Sequence, residues 1–375
     1  MRIYGPEQLL KDVRERGLCV ECGACVNLCP YFKTHRAKTA MLFPCDLTEG
    51  RCYAYCPKAE VDLDELSMNR WGKLYETTPL GNYIQVLKTR AGKNAPAGEF
   101  QAGGSVSSII TFAMTQGIID ASVLTDREGL TPVPRLIKRT KDVIKCAQSK
   151  YTAAPTLEAL NIAMHEGQGK LGVVGTPCQV TALTKLRSNP LNLPDFSDPV
   201  SLVVGLFCTW ALNAHQLESM LSKRLTIKSI KKMDIPPPPA EILVVETEKK
   251  RIEIPLDEVR PMIPKGCLIC PDMTSEWADI SVGVLENEPT WNTVIVRSEI
   301  GAEIIERSVM EGWLITERLP EESLKHLEIA AGNKKRRALT KTFEDKLLNN
   351  QGGDYRSSLR LRPEAINKIL EPLKE

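Results

Sequence analysis

Four cysteines fall within the twelve residues "CVECGACVNLCP", at Cys19, Cys22, Cys25 and Cys29, and three more follow at Cys45, Cys52 and Cys56. Thiolates are soft donors that bind transition metals and exchange electrons, so a group this dense asks for a metal or a redox role. Five others are spread further along: Cys146, Cys178, Cys208, and the pair Cys267 and Cys270 in "RPMIPKGCLICPD". Only four histidines accompany these twelve cysteines, which argues against a His-rich or Ser-His-Asp hydrolytic site.

The spacing C-x2-C-x2-C-x3-C-P is the run that serves two cubane iron–sulfur clusters in bacterial ferredoxins, with three thiolates on one cluster and the fourth on the other. A matching half follows in "CDLTEGRCYAYCPK", where Cys52-x3-Cys56-Pro57 copies the end of the motif. On that logic Cys19, Cys22, Cys25 and Cys56 hold a first [4Fe–4S] cluster. Cys29, Cys45 and Cys52 then leave a second one thiolate short. Either Asp46, Glu49 or His35 fills the gap, or a [3Fe–4S] cluster occupies it, or the fourth ligand comes from elsewhere. Gly23 lets the loop close around inorganic sulfide. Zinc is the competing metal, since C-x2-C pairs also suit it, but three-plus-one spacing with a trailing proline favours iron–sulfur.

The elements that must position the remaining thiols read as α/β. "EFQAGGSVSSIITFAMTQGIIDASVLTD" gives a glycine-rich turn at Gly103, Gly104 and Ser105, a helix closed near Gly117, and a strand. Free N–H groups at that helix start favour an anion such as a cofactor phosphate, although a plain tight turn fits the same residues. In "KLGVVGTPCQVTALTKLRS" a buried strand leads through Gly175, Thr176 and Pro177 to Cys178 at a helix start. "VSLVVGLFCTWALNAHQLESMLSKRL" repeats the plan, with a strand ending at Cys208 and Asn213 as the next helix cap. If these strands are parallel, both thiols sit at the carboxyl edge, where open α/β sheets bind ligands. Taken alone each would read as a small buried hydrophobe, but with Cys267 and Cys270 they make four ligands for a third cluster. Cys146, in a helical context without a thiol neighbour, is left as structural.

"DIPPPPAEILVVETEKKRIEIPLDE" predicts a proline spacer and a hairpin turning at Glu248-Lys249-Lys250. "ADISVGVL" and "NTVIVRSE" predict strands, and "GAEIIERSVMEGWL" an amphipathic helix. The chain divides into a ferredoxin-like head over residues 1–75, a body over 76–330 with a mainly parallel sheet, and a polar helical tail over 331–375. The run Lys334-Lys335-Arg336-Arg337 in that tail predicts a solvated face or a docking site for a partner subunit.

A formal net charge of +2 over 375 residues carries no nucleic-acid footprint. "MRIYGPEQLLKDVRERG" lacks the apolar core of a signal peptide, and no apolar run approaches the roughly 18 residues of a membrane span. A cytoplasmic chain with reduced thiols is expected. No G-x4-G-K-S/T loop supports nucleotide hydrolysis, and no G-x-G-x-x-G turn supports a nicotinamide site.

The segments "QAGGSVS", "SKYTAAPT", "VVGTPCQVTAL", "GLFC" and "GCLICPD" occur in this order. Together they resemble the beta subunits of coenzyme F420-reducing hydrogenase and of F420-linked formate dehydrogenase, across about residues 85 to 330. The resemblance implies an α/β body that carries FAD and one [4Fe–4S] cluster, exchanges hydride between FAD and coenzyme F420, and passes electrons singly to partner subunits. It puts FAD against Gly103, Gly104 and Ser105 and against Ser149, Lys150, Tyr151 and Thr152, with Lys150 near a phosphate or the flavin N1 region. It puts Gly175, Thr176 and Pro177 at the flavin ring, and Cys178, Cys208, Cys267 and Cys270 on the proximal cluster. A flavin suits such a task because it trades in both hydride and single electrons. A hydrogenase, a formate dehydrogenase, a heterodisulfide-reductase-like complex or a sulfur-reducing system would each fit as partner. Three other readings stay open: an electron relay without its own substrate site, a flavoprotein using NAD(P)H or ferredoxin, and a zinc scaffold.

Overall fold

In a computed structural model, residues 2–236, 240–350 and 356–371 are described. The cysteine-rich head has few regular elements. A hairpin of β1 (Phe32–His35) and β2 (Lys38–Met41) follows the first thiol loop, a short helix at Arg51–Ala54 carries Cys52, and β3 (Val61–Asp62) ends the segment. The next helix, Leu63–Trp71, starts where the Asp62 carboxylate accepts the Glu65 N–H, and stops at Gly72 with φ 69°. Those are the side-chain cap and left-handed glycine that end a helix at low cost.

The body is built on β4 (Gln85–Ala91), β5 (Ala121–Glu128), β6 (Thr131–Ile137), β7 (Leu171–Gly175) and β8 (Val200–Leu206). A satellite sheet of β9 (Ile230–Asp234), β10 (Ile242–Thr247) and β11 (Arg251–Pro255) branches off. The chain then returns with β12 (Ile280–Val284), β13 (Asn292–Val296) and β14 (Leu314–Arg318). The eight strands lie in the order β14-β4-β13-β12-β8-β7-β5-β6. The four central strands β12, β8, β7 and β5 are parallel, as expected of the body. Antiparallel strands extend this core on both sides, so the whole sheet is mixed.

Every residue of β7, Leu-Gly-Val-Val-Gly, is buried, the texture of a strand covered on both faces. Alternate side chains serve different cores. Val173 and Val203 pack with Leu157, Leu160, Val180 and Leu183, whereas Val174, Leu202 and Val204 pack with Ile109, Phe112 and Ile304. The first core also includes Val20, Ala24 and Leu28 of the head, so head and body share one hydrophobic interior.

The β10–β11 hairpin turns at Glu248-Lys249-Lys250 as predicted, with Glu246 opposite Arg251. Of the proline run Pro236–Pro239, Pro237, Pro238 and Pro239 lie outside the described residues, as do residues 372–375 of the tail. The basic run departs from expectation. It lies within the 24-residue helix Glu321–Glu344, and Lys334 and Lys335 are only 4% and 1% exposed. Lys335 pairs with Glu276 at 2.9 Å and donates to the Thr78 carbonyl at 2.9 Å. Beyond it, β15 (Leu348–Asn349) and β16 (Leu359–Arg360) run parallel, and β16 pairs with β3 of the head.

Candidate functional site

All twelve cysteines are free. Burial pushes the Cys22 thiol well above its usual value, and the nearby Cys178, Cys56 and Cys25 push the same way. Burial also raises Cys25, whose thiol neighbours are Cys19, Cys56 and Cys52. Cys19 is pushed up to about 12, first by burial and then by Glu21, with Cys56 close by. The four thiols expected together in the head are therefore neighbours. Backbone N–H groups are aimed at their sulfurs: Glu21 N–H at Cys19, Ala24 N–H at Cys22, and Lys58 and Ala59 N–H at Cys56. Such donors favour thiolate over thiol, which is what a metal requires.

Cys52 is pushed up to about 12 by burial, and its thiol neighbours are Cys29, Cys56 and Cys45. This second head set adjoins the first through Cys25 and Cys52. His35, Asp46 and Glu49 are all exposed, His35 at the hairpin tip and the two acids on the loop that carries Cys45. None has a hydrogen bond among the described residues that would bind it to the three thiols.

In the body, Cys178 is pushed up to about 11 by burial, with Cys267 and Cys270 as its thiol neighbours. Cys208 is raised by burial and by the same three thiols, while the Lys334 ammonium opposes them. Cys267 takes an N–H from Ala211. Cys146 stands apart at the end of the Thr140–Cys146 3-10 turn, and its charged neighbours are Asp126, Lys150, Arg135 and Asp142. Among the described residues no three His, Cys, Asp or Glu side chains converge to grip a single metal ion. A zinc ion asks for four donors near 2.0–2.3 Å from one point. A cubane cluster is held from its corners, by thiolates set wider apart.

Three lysines that the sequence did not link to the thiols frame them. Lys185, 1% exposed, donates to the carbonyls of Cys56, Ala59 and Glu60 at 2.8, 2.7 and 3.1 Å. Lys334 donates to the carbonyls of Cys208 and Asp272 at 2.5 and 2.7 Å. Lys58, 6% exposed, faces Cys56, Cys178 and Cys267. Only a three-dimensional arrangement collects them, although Lys58 sits directly after Cys56-Pro57 and could have been noticed there.

The expected flavin residues lie on the carboxyl edge of the parallel strands. Gly104 precedes the helix Ser105–Thr115 with φ 79°, a conformation suited to glycine, and a Cβ there would come within 2.7 Å of Phe100. Ser105 is fully buried: its hydroxyl meets Thr89 at 2.7 Å and its N–H donates to Asn292. One amide of the expected anion site is thus already satisfied within the protein. Gln101 joins this turn to the next segment, accepting from Ser149 N–H at 3.3 Å and donating to the Tyr151 hydroxyl at 3.5 Å. The Tyr151 hydroxyl donates to Asp234 at 2.8 Å. Lys150 turns inward, to the carbonyls of Cys146, Ala147 and Gln148 at 2.6–2.8 Å, and burial lowers its ammonium to about 8. It holds a turn closed in place of reaching out to a phosphate. The Thr152 hydroxyl is buried without a hydrogen-bond partner.

Thr176 and Gln179 form a capping box for the helix Pro177–Arg187, with the Thr176 N–H donating to Gln179 at 2.8 Å. The Thr176 hydroxyl lies 3.4 Å from the Cys178 sulfur. Gln179 also donates to the Ala154 carbonyl and the Thr156 hydroxyl, both at 2.8 Å, tying the Thr176 turn to the segment after Thr152. A cavity of about 480 Å³ along the helix Ala214–Ser222 and one of about 430 Å³ beside Trp71 and Ser298 contain none of these residues.

Fold and site define a thiol-rich mixed α/β protein in which Cys178, Cys208 and the Gly175 turn follow the carboxyl ends of parallel strands. The chain belongs to the coenzyme F420 hydrogenase/dehydrogenase beta subunit family: residues 86–161 match the family's N-terminal part and residues 168–322 its C terminus. It is 31% identical to the coenzyme F420-dependent sulfite reductase of Methanocaldococcus jannaschii over 80% of this chain and 47% of that protein. It therefore spans about half the length of that relative. It is 30% identical to the coenzyme F420 hydrogenase subunit beta of Methanothermobacter thermautotrophicus, over 69% of this chain and 94% of the other. A chain in the structure of the F420-reducing [NiFe] hydrogenase complex from Methanosarcina barkeri superposes with a TM-score of 0.66 at 26% identity, covering 71% of this chain and 93% of that one. Among the described residues no helix is long and apolar enough to cross a membrane.

Proposed function

We propose that this chain is an iron–sulfur flavoprotein subunit that exchanges hydride between coenzyme F420 and bound FAD and delivers single electrons to a partner redox subunit. The supporting observation is the order of the thiols. The body set meets the first head set where Cys22 neighbours Cys178, and the first head set meets the second where Cys25 neighbours Cys52. Cys178, Cys208, Cys267 and Cys270 would hold one [4Fe–4S] cluster, and Cys19, Cys22, Cys25 and Cys56 a second. Cys29, Cys45 and Cys52 would hold a third centre, of three irons or with a ligand other than cysteine. Family membership adds the hydride carrier, since the relatives named above are F420 enzymes.

Bound FAD would supply the exchange between two-electron and one-electron chemistry. The chain's own contribution is position. Gly103, Gly104 and Ser105 fix a rigid turn, and Ser149, Tyr151 and Thr152 line the next segment, where the unpaired Thr152 hydroxyl awaits a polar partner. Lys150 keeps that segment closed. Gly175, Thr176 and Pro177 set the start of a helix beside Cys178, so a ring held there would border the body cluster. The partner would be a hydrogenase, formate dehydrogenase, heterodisulfide-reductase-like or sulfur-compound-reducing subunit, in a reducing cytoplasm where free thiols persist.

Anaerobically purified full-length chain should carry about 11 or 12 irons. Its flavin should bleach on addition of reduced F420. Bleaching by NADH alone would overturn the F420 assignment. Bleaching by neither would favour an electron relay, and zinc in place of iron would overturn the reading altogether.

A further inference from the structure

The loop that carries Cys267 and Cys270 belongs to the body in sequence and to the head in packing. Ile269, between the two thiols, is 3% exposed. It lies in the head's core with Leu9, Val13, Leu18 and Phe32, against which Cys19 and Cys25 also pack. Cys267 itself packs, with Cys178, against the shared core that contains Cys22. A side chain set between two cysteines of one group thus enters the interior that supports another.

The backbone makes the same approach. Gly266 lies in the short helix Lys265–Leu268. A Cβ there would run into the Leu18 carbonyl oxygen, and it would come within 2.9 Å of the Leu18 carbonyl carbon and 2.7 Å of Val20 Cγ1. Leu18 is itself held, its N–H donating to the Val13 carbonyl at 2.8 Å. Backbones this close need glycine where they meet. Gly266 adjoins Cys267 and Leu18 adjoins Cys19, so each side of the contact is one residue from an expected ligand. On another flank of the head loop, the Leu157 N–H donates to the Cys22 carbonyl at 3.1 Å and Gly23 lies against the Pro155 carbonyl. That flank, Pro155–Leu157, carries no thiol, whereas the Gly266 flank does.

We propose that Gly266 and Ile269 are positioning residues for electron transfer: they seat the Cys267–Cys270 loop against Leu18 and Cys19 and make that contact the crossing point between the body centre and the first head centre. The inference rests on the proposed cluster assignment. One electron moves in each crossing, so one centre is oxidised as the other is reduced, and no bond or proton changes place. Transfer slows steeply as two centres separate, and here the separation is fixed by close-packed backbone and core.

The test is low-temperature EPR of the fully reduced full-length holoprotein, with iron counted, for wild type, Gly266→Ala, Ile269→Ala and Gly301→Ala. Neighbouring reduced centres split one another's signals, and the splitting that vanishes from wild type in Cys178→Ser is the one between body and head. Gly266→Ala pushes the loops apart and Ile269→Ala removes the wedge. Both should keep their iron and show a narrower body–head splitting, with the splitting between the two head centres unchanged. Gly301→Ala is the control, since its Cβ would come within 2.5 Å of the Asp279 carbonyl on the thiol-free helix Glu299–Met310. It should leave both splittings as they are. No body–head splitting in wild type, an unchanged splitting in either variant, or an equal change in Gly301→Ala would overturn the proposal. If Gly266→Ala loses iron, Ile269→Ala decides, with the same narrowing expected. Loss of iron in both would make the two residues structural and overturn the proposal. A wild type without iron–sulfur signals would overturn the cluster assignment, and the proposal with it.

Discussion

The thiol sets and the carboxyl-edge turns are built from different parts of the chain. Around the cysteines the side chains define the region, sulfurs lying near others of their set and several met by a backbone N–H. At Gly103–Ser105 and Gly175–Pro177 the backbone shapes the turns, and the side chains there mostly satisfy the protein itself. Ser105 bonds Thr89 and Asn292, Lys150 closes its own turn, and Thr176 caps its helix. The first region should fail abruptly when one atom is changed. The second should weaken by degrees.

The largest effect is expected from single thiols. Cys178→Ser or Cys267→Ser should remove the body centre, about a third of the iron, whereas Cys146→Ser should leave the iron count unchanged. Equal losses from all three would break the contrast between grouped and solitary cysteines. An intermediate effect is expected at Asn161. Its amide nitrogen reaches the carbonyls of Gly23, Ala24 and Val26 at 3.3, 3.1 and 2.7 Å and clamps the head loop onto the helix Leu157–His165. Asn161→Ala should cost about 3 kcal/mol in chemical denaturation, as buried carbonyls lose their donor. Iron should leave the head before the body, and a uniform loss would show that the clamp is not local. The smallest effect is expected at Gly104→Ala, where φ 79° and the nearby Phe100 ring add strain of about 1–2 kcal/mol. Flavin retention should fall while iron stays; abrupt loss of both would mean that the turn and the thiols form one cooperative unit.

The two regions also differed in how openly the sequence declared them. Cysteine spacing is a local signal, and so is Asn213 accepting from the Gln216 N–H at its helix start, or the hairpin after Thr247. These were legible because the residues that decide them lie within a few positions of one another. Lys334 and Lys335 were not. A run of four basic residues reads as solvated, and what buries these two is a set of carbonyls and Glu276 contributed from far earlier in the chain. Of the strands that flank the parallel core only β13, in "NTVIVRSE", was visible as a strand, while β4, β6 and β14 were not, and the antiparallel pairings among them are encoded by no short stretch. For Lys150 the residue was noticed and its direction was not, because a lysine on a turn can reach outward or fold back onto carbonyls.

The pairing of β16 with β3 has a bearing on how the protein is made. Glu60 and Asp64, which flank β3, form ion pairs with Arg360 and Arg362, and Arg362 also donates to the Tyr75 carbonyl at 3.1 Å. A segment of the head is thus closed by residues 300 positions further along the chain. During synthesis the head emerges with one edge of β3 unmatched, and it keeps that open edge until residues near 360 are released. Such long sequence separation makes completion of the head a late and slow step of folding. On the proposed cluster assignment, that interval would leave the thiol-rich loop open to whatever loads its clusters.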